Sequence, residues 1–337
     1  MTARVTILMP IFNVGKYLRE SIDSILAQTY CDFILLILDD CSSDDSDDIV
    51  ASYSDARIQY VRNDFNLGLA DNLNKGLSLV QTELVARMDG DDIAEPNWLE
   101  ENIKVLDAHP EIGICSCGFQ FFGAKNAIIR YPQNHEDSMA QMLFGCTVIV
   151  PVMRMSLLKE QHLHYDKNAF PAEDYDLWSR CYPLIKVYNI QKTLFHYRMH
   201  DSQISTSRRD AQIQKTNEVR LRMLYLLNPN FSEEDKAYFL GDYGCAHIDN
   251  MDDLRRMICF GEKLERLNLE VYNSMALHNR LSWQVSVAAL SYVQRTYWQK
   301  GYSLLLYFHY LLSGFAKYIP AQYQTKFLLK SIIHRSH

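Results

Sequence analysis

The sequence predicts an α/β protein: a doubly wound, mostly parallel sheet flanked by helices, followed by an α-helical C-terminal region. Three observations carry this. Short continuous apolar runs alternate with amphipathic segments between residues 4 and 109, as expected of strands buried on both faces and joined by crossover helices. Acids gather where those runs end, at Asp39 and Asp40 and again at Asp89, Asp91 and Asp92. Beyond about residue 210 helical periodicity replaces the alternation. The expected division is a sheet domain over 1–210 and a helical region over 211–337.

Each element follows from its residues. "RVTILMPIF" is a β-rich apolar run and reads as a buried first strand. "VGKYLRESIDSILAQ" places apolar residues at 18, 22, 25 and 26, one face of a helix. "DFILLILDD" is a second buried strand closed by two acids. "SDDSDDIVASY" is a helix with an acidic first turn, which suits the macrodipole. "RIQYVRN" is a third strand and "GLADNLNKGLSLV" a helix. "ELVARMD" is a fourth strand, and "EPNWLEENIKVLDAH" a helix with proline near its start. The segments 211–227, 232–244, 252–267 and 274–297 all read as helices.

Composition narrows the function classes. Of 337 residues 48% are apolar, enough for a sizeable core. The net charge of −7 argues against nucleic acid as a general partner. The charge is uneven: no Asp or Glu follows Glu270, so the tail carries +7 and the first 270 residues −14. The eight cysteines show neither zinc nor disulfide spacing and read as reduced, mostly buried thiols. The N-terminal apolar run is too short for a signal peptide and is broken by Pro10, so the expected compartment is the cytosol.

In doubly wound sheets ligands bind beyond the carboxyl ends of the strands, where the acids lie. No glycine-rich phosphate loop follows the first strand; "MPIFN" stands there, which supports neither a dinucleotide fold nor a P-loop. Three carboxylates in four positions repel unless they are protonated, solvated or bound to a cation. One reading of Asp89, Asp91 and Asp92 is a solvated turn with Asp92 capping the helix that begins near Pro96. The other is a hard-cation site for Mg²⁺ or Mn²⁺, which take oxygen ligands and often complete their shell with substrate phosphates.

Four stretches, "VTILMPIFN", "LDDCSSDDS", "ARMDGDDIAEPNWLE" and "AEDYDLWSR", resemble, in order and spacing, the family 2 glycosyltransferases of GT-A fold across roughly residues 4–205. The resemblance implies an inverting enzyme with a nucleotide-sugar donor, commonly UDP-linked, and a divalent metal. It places Phe12 against the nucleotide base, with Pro10 and Asn13 beside it in the same motif. Asp40 corresponds to the residue that hydrogen-bonds the base, and Asp39 to a support of the neighbouring turn. Cys41 stands where the family usually has glycine. Asn66 belongs to a segment packed beside the nucleotide; Leu73, further along, stands where Arg is common, so a phosphate contact is not carried over. Asp91 matches the usual metal ligand, and Asp89 a residue near the ribose and the metal shell. Asp174 matches the general base. Glu173 and Trp178 fall on the acceptor side, although Trp178 equally suits the core, and Glu173, Asp174 and Asp176 together equally suit a helix N-terminus. "FHYRMHDSQIS" resembles a segment whose histidine, here His200, reaches the diphosphate or the metal. Val150 stands where members often carry histidine.

The implied activity is transfer of a sugar to a glycan or lipid-linked glycan acceptor in surface-polysaccharide assembly. A sugar nucleotidyltransferase would want a Gly- and Arg-rich loop after the first strand, which is missing. A glycosidase fits poorly with metal-type acids beside a base pocket. A non-catalytic nucleotide-sugar-binding or scaffold protein is the alternative that Asp40, Asp91 and Asp174 argue against. Residues 298–320 are apolar and aromatic but carry seven polar or ionisable tips from 303 to 318, which suits a packed helix or an interfacial one better than a spanning one. The basic tail makes peripheral contact with a membrane a further expectation.

Overall fold

The computed structural model describes residues 3–200, 203, 208–241, 243, 248, 250–295, 303–312 and 314–333. The chain divides into two compact units, 1–223 and 224–337.

The first unit is built on one mixed sheet. Strands β1 (Val5–Ile11), β2 (Phe33–Asp39), β3 (Ile58–Arg62) and β4 (Leu84–Arg87) are mutually parallel in the order β3-β2-β1-β4. β1 is buried at all seven positions and β2 at six of seven, which is why both read as unbroken apolar runs. Helices α1 (Gly15–Leu26), α2 (Ser46–Ala51), α3 (Leu69–Leu79) and α4 (Trp98–Ala108) follow the successive strands; α1 buries Leu18, Ile22 and Ile25, the stripe its spacing predicts.

Beyond β4 the sheet continues with strands the sequence analysis did not order. β5 (Ile93–Ala94), β6 (Ile112–Gly123), β7 (Ala127–Ile129), β8 (Val152–Arg154) and β9 (Lys186–Met199) extend it as β4-β8-β6-β9-β5, with β7 on β6. β8 runs antiparallel to both β4 and β6, and β9 runs parallel to β6. Two reversals restore the original direction. The carboxyl ends of β6 and β9 therefore emerge on the same edge as those of β1, β2 and β4, and everything placed there can share one cleft. Helices α5 (His135–Gln141), α6 (Met155–Glu160) and α7 (Glu173–Cys181) lie between the later strands in sequence.

Helix α8 (Arg209–Leu227) carries the chain past the boundary at 223. In the second unit α9 (Glu233–Gly241), α10 (Met251–Val271) and α11 (Met275–Val293) bury Phe239, Leu254, Leu264, Leu277 and Ala288. A capping box between Asn250 and Asp253 starts α10. Helices α12 (Leu304–Leu312) and α13 (Ala321–Ile333) meet through Tyr307 and Tyr310 against Phe327. Among the described residues no helix is long and apolar enough to cross a membrane. Trp298, Lys300, Tyr302 and Arg335 lie outside the described residues.

Candidate active site

A cavity of about 1280 Å³ opens in the first unit along the carboxyl edge of the sheet. Every site residue the sequence nominated lines it except Trp178.

The end nearest β1 and β2 is organised by Asp40. Its Oδ1 accepts from Asn63 Nδ2 and the Leu67 N–H at 2.8 Å each, and its Oδ2 accepts from the Gly68 N–H at 2.8 Å. The carboxylate thus holds the 66–68 turn, and Oδ2 keeps one acceptor position towards the cavity. Asn66 closes the turn by donating to the Asp40 carbonyl and accepting from the Gly68 N–H. Asp39 accepts from the Ser42 N–H and the Tyr60 hydroxyl, so it does support the neighbouring turn. At Cys41 that turn has φ +66°, a left-handed conformation that costs a non-glycine residue about 1–2 kcal/mol and accounts for glycine being usual there. Asn13, at φ +54°, accepts from the Ser43 N–H and so ties the end of β1 to the same turn. Phe12 stands 49% exposed between them, an apolar ring facing open space.

The three aspartates after β4 have separate fates. Arg87 pairs with Asp89 at 2.8 Å. Burial pushes the Asp89 carboxyl up to about 6; Arg87 pulls against this, and Asp91 and Asp174 push further. Asp92 is buried and accepts from the Arg198 N–H at 2.8 Å, its carboxyl raised first by burial and then by Asp91 and Asp89. It does not cap α4, whose N-cap residue is Asn97: the side chain turns inward to join β9, a partner the sequence could not reveal. Asp91 Oδ2 lies 3.1 Å from His200 Nε2, and the imidazole packs on Tyr17 at 4.6 Å between centroids. Gly90 lets the loop close, since a Cβ there would meet Ile11 Cγ2 at 2.7 Å.

Among the described residues no three His, Cys, Asp or Glu side chains converge on a metal position. What converges is the pair Asp91 and His200, part-exposed to the cavity. One carboxylate and one imidazole with open space beside them fit a divalent cation that takes its remaining ligands from phosphate oxygens and water. A cation bound between them would take the place of the proton that now joins the two side chains.

Helix α7 presents its first turn to the cavity. Asp174 Oδ1 accepts from the Tyr175 N–H at 2.6 Å, and Oδ2 receives no hydrogen bond among the described residues. Glu173 is 5% exposed and its Oε2 has no hydrogen-bond partner among the described residues. Burial, then the Asp174 charge, push its carboxyl up to about 7, with Arg87 pulling the other way. Asp176 faces away, buried between Arg180 and Arg222. Trp178 is 1% exposed and is absent from the cavity lining, which corrects its acceptor-side placement: the ring is enclosed by the core and leaves no face open to a ligand.

Comparison with known proteins identifies the family and the fold. Residues 6–163 match Glycosyl transferase family 2. A glycosyltransferase of Haemophilus influenzae is 30% identical over 240 residues, 66% of this chain and 74% of its own length. The chain belongs to glycosyl transferase family 2. The putative glycosyltransferase EpsE of Bacillus subtilis is 32% identical over 58% of this chain and 73% of its own. In fold, the Staphylococcus aureus TarS 1–349 structure in complex with UDP-GlcNAc has a TM-score of 0.59 at 17% identity, covering 87% of this chain and 93% of that one. A Pyrobaculum calidifontis mannosyltransferase in complex with GDP-Man and Mn²⁺ has a TM-score of 0.52 at 16% identity, covering 99% and 87%. The mixed sheet with flanking helices and a helical C-terminal region is the GT-A fold.

As a family 2 glycosyltransferase the chain departs from habit in ways the structure makes concrete. Leu73 is wholly buried, so this position offers an apolar side chain to the core and no contact to a phosphate. Val150 lines the cavity at 2% exposure and makes that wall apolar. Two groups escaped the sequence analysis. Arg87, a cation inside a buried strand, is kept charged against its burial by Asp89, Tyr165, Asp174 and Glu173; a lone Arg in "LVARMD" two residues before an acid was the available signal. Phe119, Phe121, Tyr131 and Tyr197 also line the cavity, and nothing in their spacing announces that they meet.

Proposed function

We propose that this glycosyltransferase moves a hexosyl or N-acetylhexosaminyl group from a UDP-linked sugar to a hydroxyl of a glycan or lipid-linked glycan in surface-polysaccharide assembly, with inversion at the anomeric carbon. The observation that carries this is one cavity lined by Phe12 and Asp40, by Asp91 and His200, and by Asp174. Those are, respectively, a ring and an acceptor suited to a nucleobase, a pair suited to a diphosphate-bound cation, and a carboxylate with an unengaged oxygen. The volume exceeds the 300–1,000 Å³ typical of a site for one small ligand, which leaves room for an acceptor beside the donor.

In this reading Phe12 stacks on the base and the remaining acceptor position of Asp40 Oδ2 takes a base N–H. Asp91 and His200 would hold Mg²⁺ or Mn²⁺, and a cation so bound neutralises charge that grows on the leaving diphosphate. Asp174 accepts the acceptor's hydroxyl proton as that oxygen bonds to the anomeric carbon and the carbon–phosphate-oxygen bond breaks, its electron pair leaving with UDP. One base opposite the leaving group gives a single displacement, hence inversion. Holding both substrates in one cleft supplies alignment. Turnover of a panel of nucleotide sugars with Mn²⁺ tests the reading: release of UDP is expected, and binding without release would return the chain to the scaffold alternative.

Peripheral membrane contact through the second unit belongs to the same reading. Leu305, Phe308 and Leu312 of α12 and Leu329, Ile332 and Ile333 of α13 are exposed, between 49% and 85%, and Lys317, Lys326 and Lys330 accompany them in a stretch of sequence that has no Asp or Glu. Apolar side chains beside cations suit an anionic lipid surface, where a lipid-linked acceptor would be found.

A further inference from the structure

The sheet order separates two ends of the cavity. Phe12 and Asp40 stand at β1 and β2, the acids after β4 lie between, and β6 and β9 lie beyond. At that far end Phe119 and Phe121, two apart on β6, share a face, and Phe121 is registered opposite Tyr197 on β9. Their rings meet edge to face, Phe119 on Phe121 at 5.1 Å and Phe121 on Tyr197 at 5.5 Å between centroids. Tyr131 joins at 6.1 Å from Phe119. Phe121, Tyr131 and Tyr197 are only part-buried and line the cavity. Tyr131 lies close enough to Asp174 to feel its charge. Glu173 lines the same cavity, its Oε2 buried and without a partner among the described residues.

We propose that Phe121, Tyr131 and Tyr197, together with Glu173, form the acceptor subsite and that it takes a pyranose ring. This rests on the transfer reading and specifies its acceptor end. A pyranose has one face of C–H groups and a rim of hydroxyls. The C–H face packs on aromatic rings, whose faces carry negative charge density, and a rim hydroxyl satisfies Glu173. A second hydroxyl then lies towards Asp174 for deprotonation. An alkyl chain would use the rings but leave the buried carboxyl unsatisfied, which carries a penalty. Val150, in place of a histidine, lengthens the apolar wall and removes a polar contact, so ring stacking carries more of the recognition.

Saturation-transfer NMR on the full chain with UDP and diamagnetic Mg²⁺ tests this, using methyl β-glucopyranoside, methyl β-galactopyranoside and n-octanol as probes. The glycosides should receive saturation chiefly on the C–H protons of one ring face. Phe121→Ala and Tyr197→Ala should each weaken that binding by about three- to ten-fold, the scale of one aromatic contact, with UDP affinity kept. Phe121→Leu, which preserves bulk, should also weaken it, separating lost stacking from a collapsed wall. Glycoside saturation that survives these substitutions, or saturation of octanol alone, overturns the subsite while leaving the transfer reading in place. Failure of the unaltered chain to bind UDP overturns the transfer reading, and the subsite with it.

Discussion

Glu173→Gln isolates the electrostatic cost of a buried carboxyl at the candidate site. Glu173 is 5% exposed, one of its oxygens has no partner, and its carboxyl titrates near 7 in the fold against an ordinary 4.5. Between those values the folded chain binds a proton that the unfolded chain has released. Stability therefore falls as pH rises through this window, and the contribution is fully present only below about pH 4.5. The gap corresponds to about 3 kcal/mol at full development. Gln keeps the shape and cannot ionise, so the loss disappears in the variant. Other titrating groups are common to both proteins and cancel in the difference, apart from Asp174, which couples to Glu173. Urea unfolding at pH 5 and pH 8.5, followed by fluorescence of the buried Trp98 and Trp178, should show the variant gaining about 2–3 kcal/mol on the parent between the two pH values. A difference that stays constant within about 0.5 kcal/mol, the scale of ordinary surface effects, would mean that Glu173 has a partner or solvent access the structure does not show, and the physical basis for its place in the acceptor subsite would fail.

The remaining predictions concern the transfer reading. Asp91→Asn should abolish Mn²⁺-dependent binding of UDP, measured by calorimetry with and without the metal; unchanged binding would remove Asp91 from the metal site. Asp174→Asn should keep UDP binding yet slow transfer by about 10²-fold or more, and full activity in a single-turnover assay would move the base elsewhere, with Glu173 next. The full chain should sediment with anionic but not neutral vesicles and be released by high salt, since each basic residue near such a surface contributes about 1 kcal/mol that salt screens; equal recovery in the supernatant with both lipids would leave α12 and α13 as packed helices only.

The sequence disclosed the parallel half of the sheet because β1, β2 and β4 are almost wholly buried and helices with a clear stripe lie between the runs. Asp39 and Asp40, and the acids after β4, were legible for the same reason: charge at the end of an apolar run is a local signal. The other half was not local. β6 and β9 pair residues about 75 apart, with register shifts near Ile112 and Gly118, and β8 is only three residues long. Direction and order there depend on long-range pairing, which periodicity does not encode. Phe121 and Tyr197 become neighbours only through that pairing, so the aromatic wall was invisible. Trp178 failed for a different reason: a nine-residue helix buried at seven positions offers no polar face from which to tell cavity from core.

The partners of the acids bear on why so many like charges can share one edge. Asp39 and Asp40 spend their oxygens on turn N–H groups, a phenol and an amide. Asp89 has a guanidinium and Asp92 a backbone N–H. Each of these contacts fixes a loop as it satisfies a charge, so removing Asp39, Asp89 or Asp92 should damage structure before chemistry, and removing Asp40 should affect both. Asp91, Glu173 and Asp174 differ. Among the described residues the Asp91 carboxylate meets only an imidazole, Asp174 keeps one oxygen unengaged, and Glu173 is driven towards its protonated form. Groups left electrostatically incomplete in a folded protein cost stability, and that cost is tolerated where a ligand completes them. The three incomplete acids border one cavity: a cation beside Asp91, a hydroxyl at Asp174 and a second hydroxyl at Glu173 would complete all three together. On this argument donor and acceptor each relieve part of a shared repulsion, and binding of one should strengthen binding of the other.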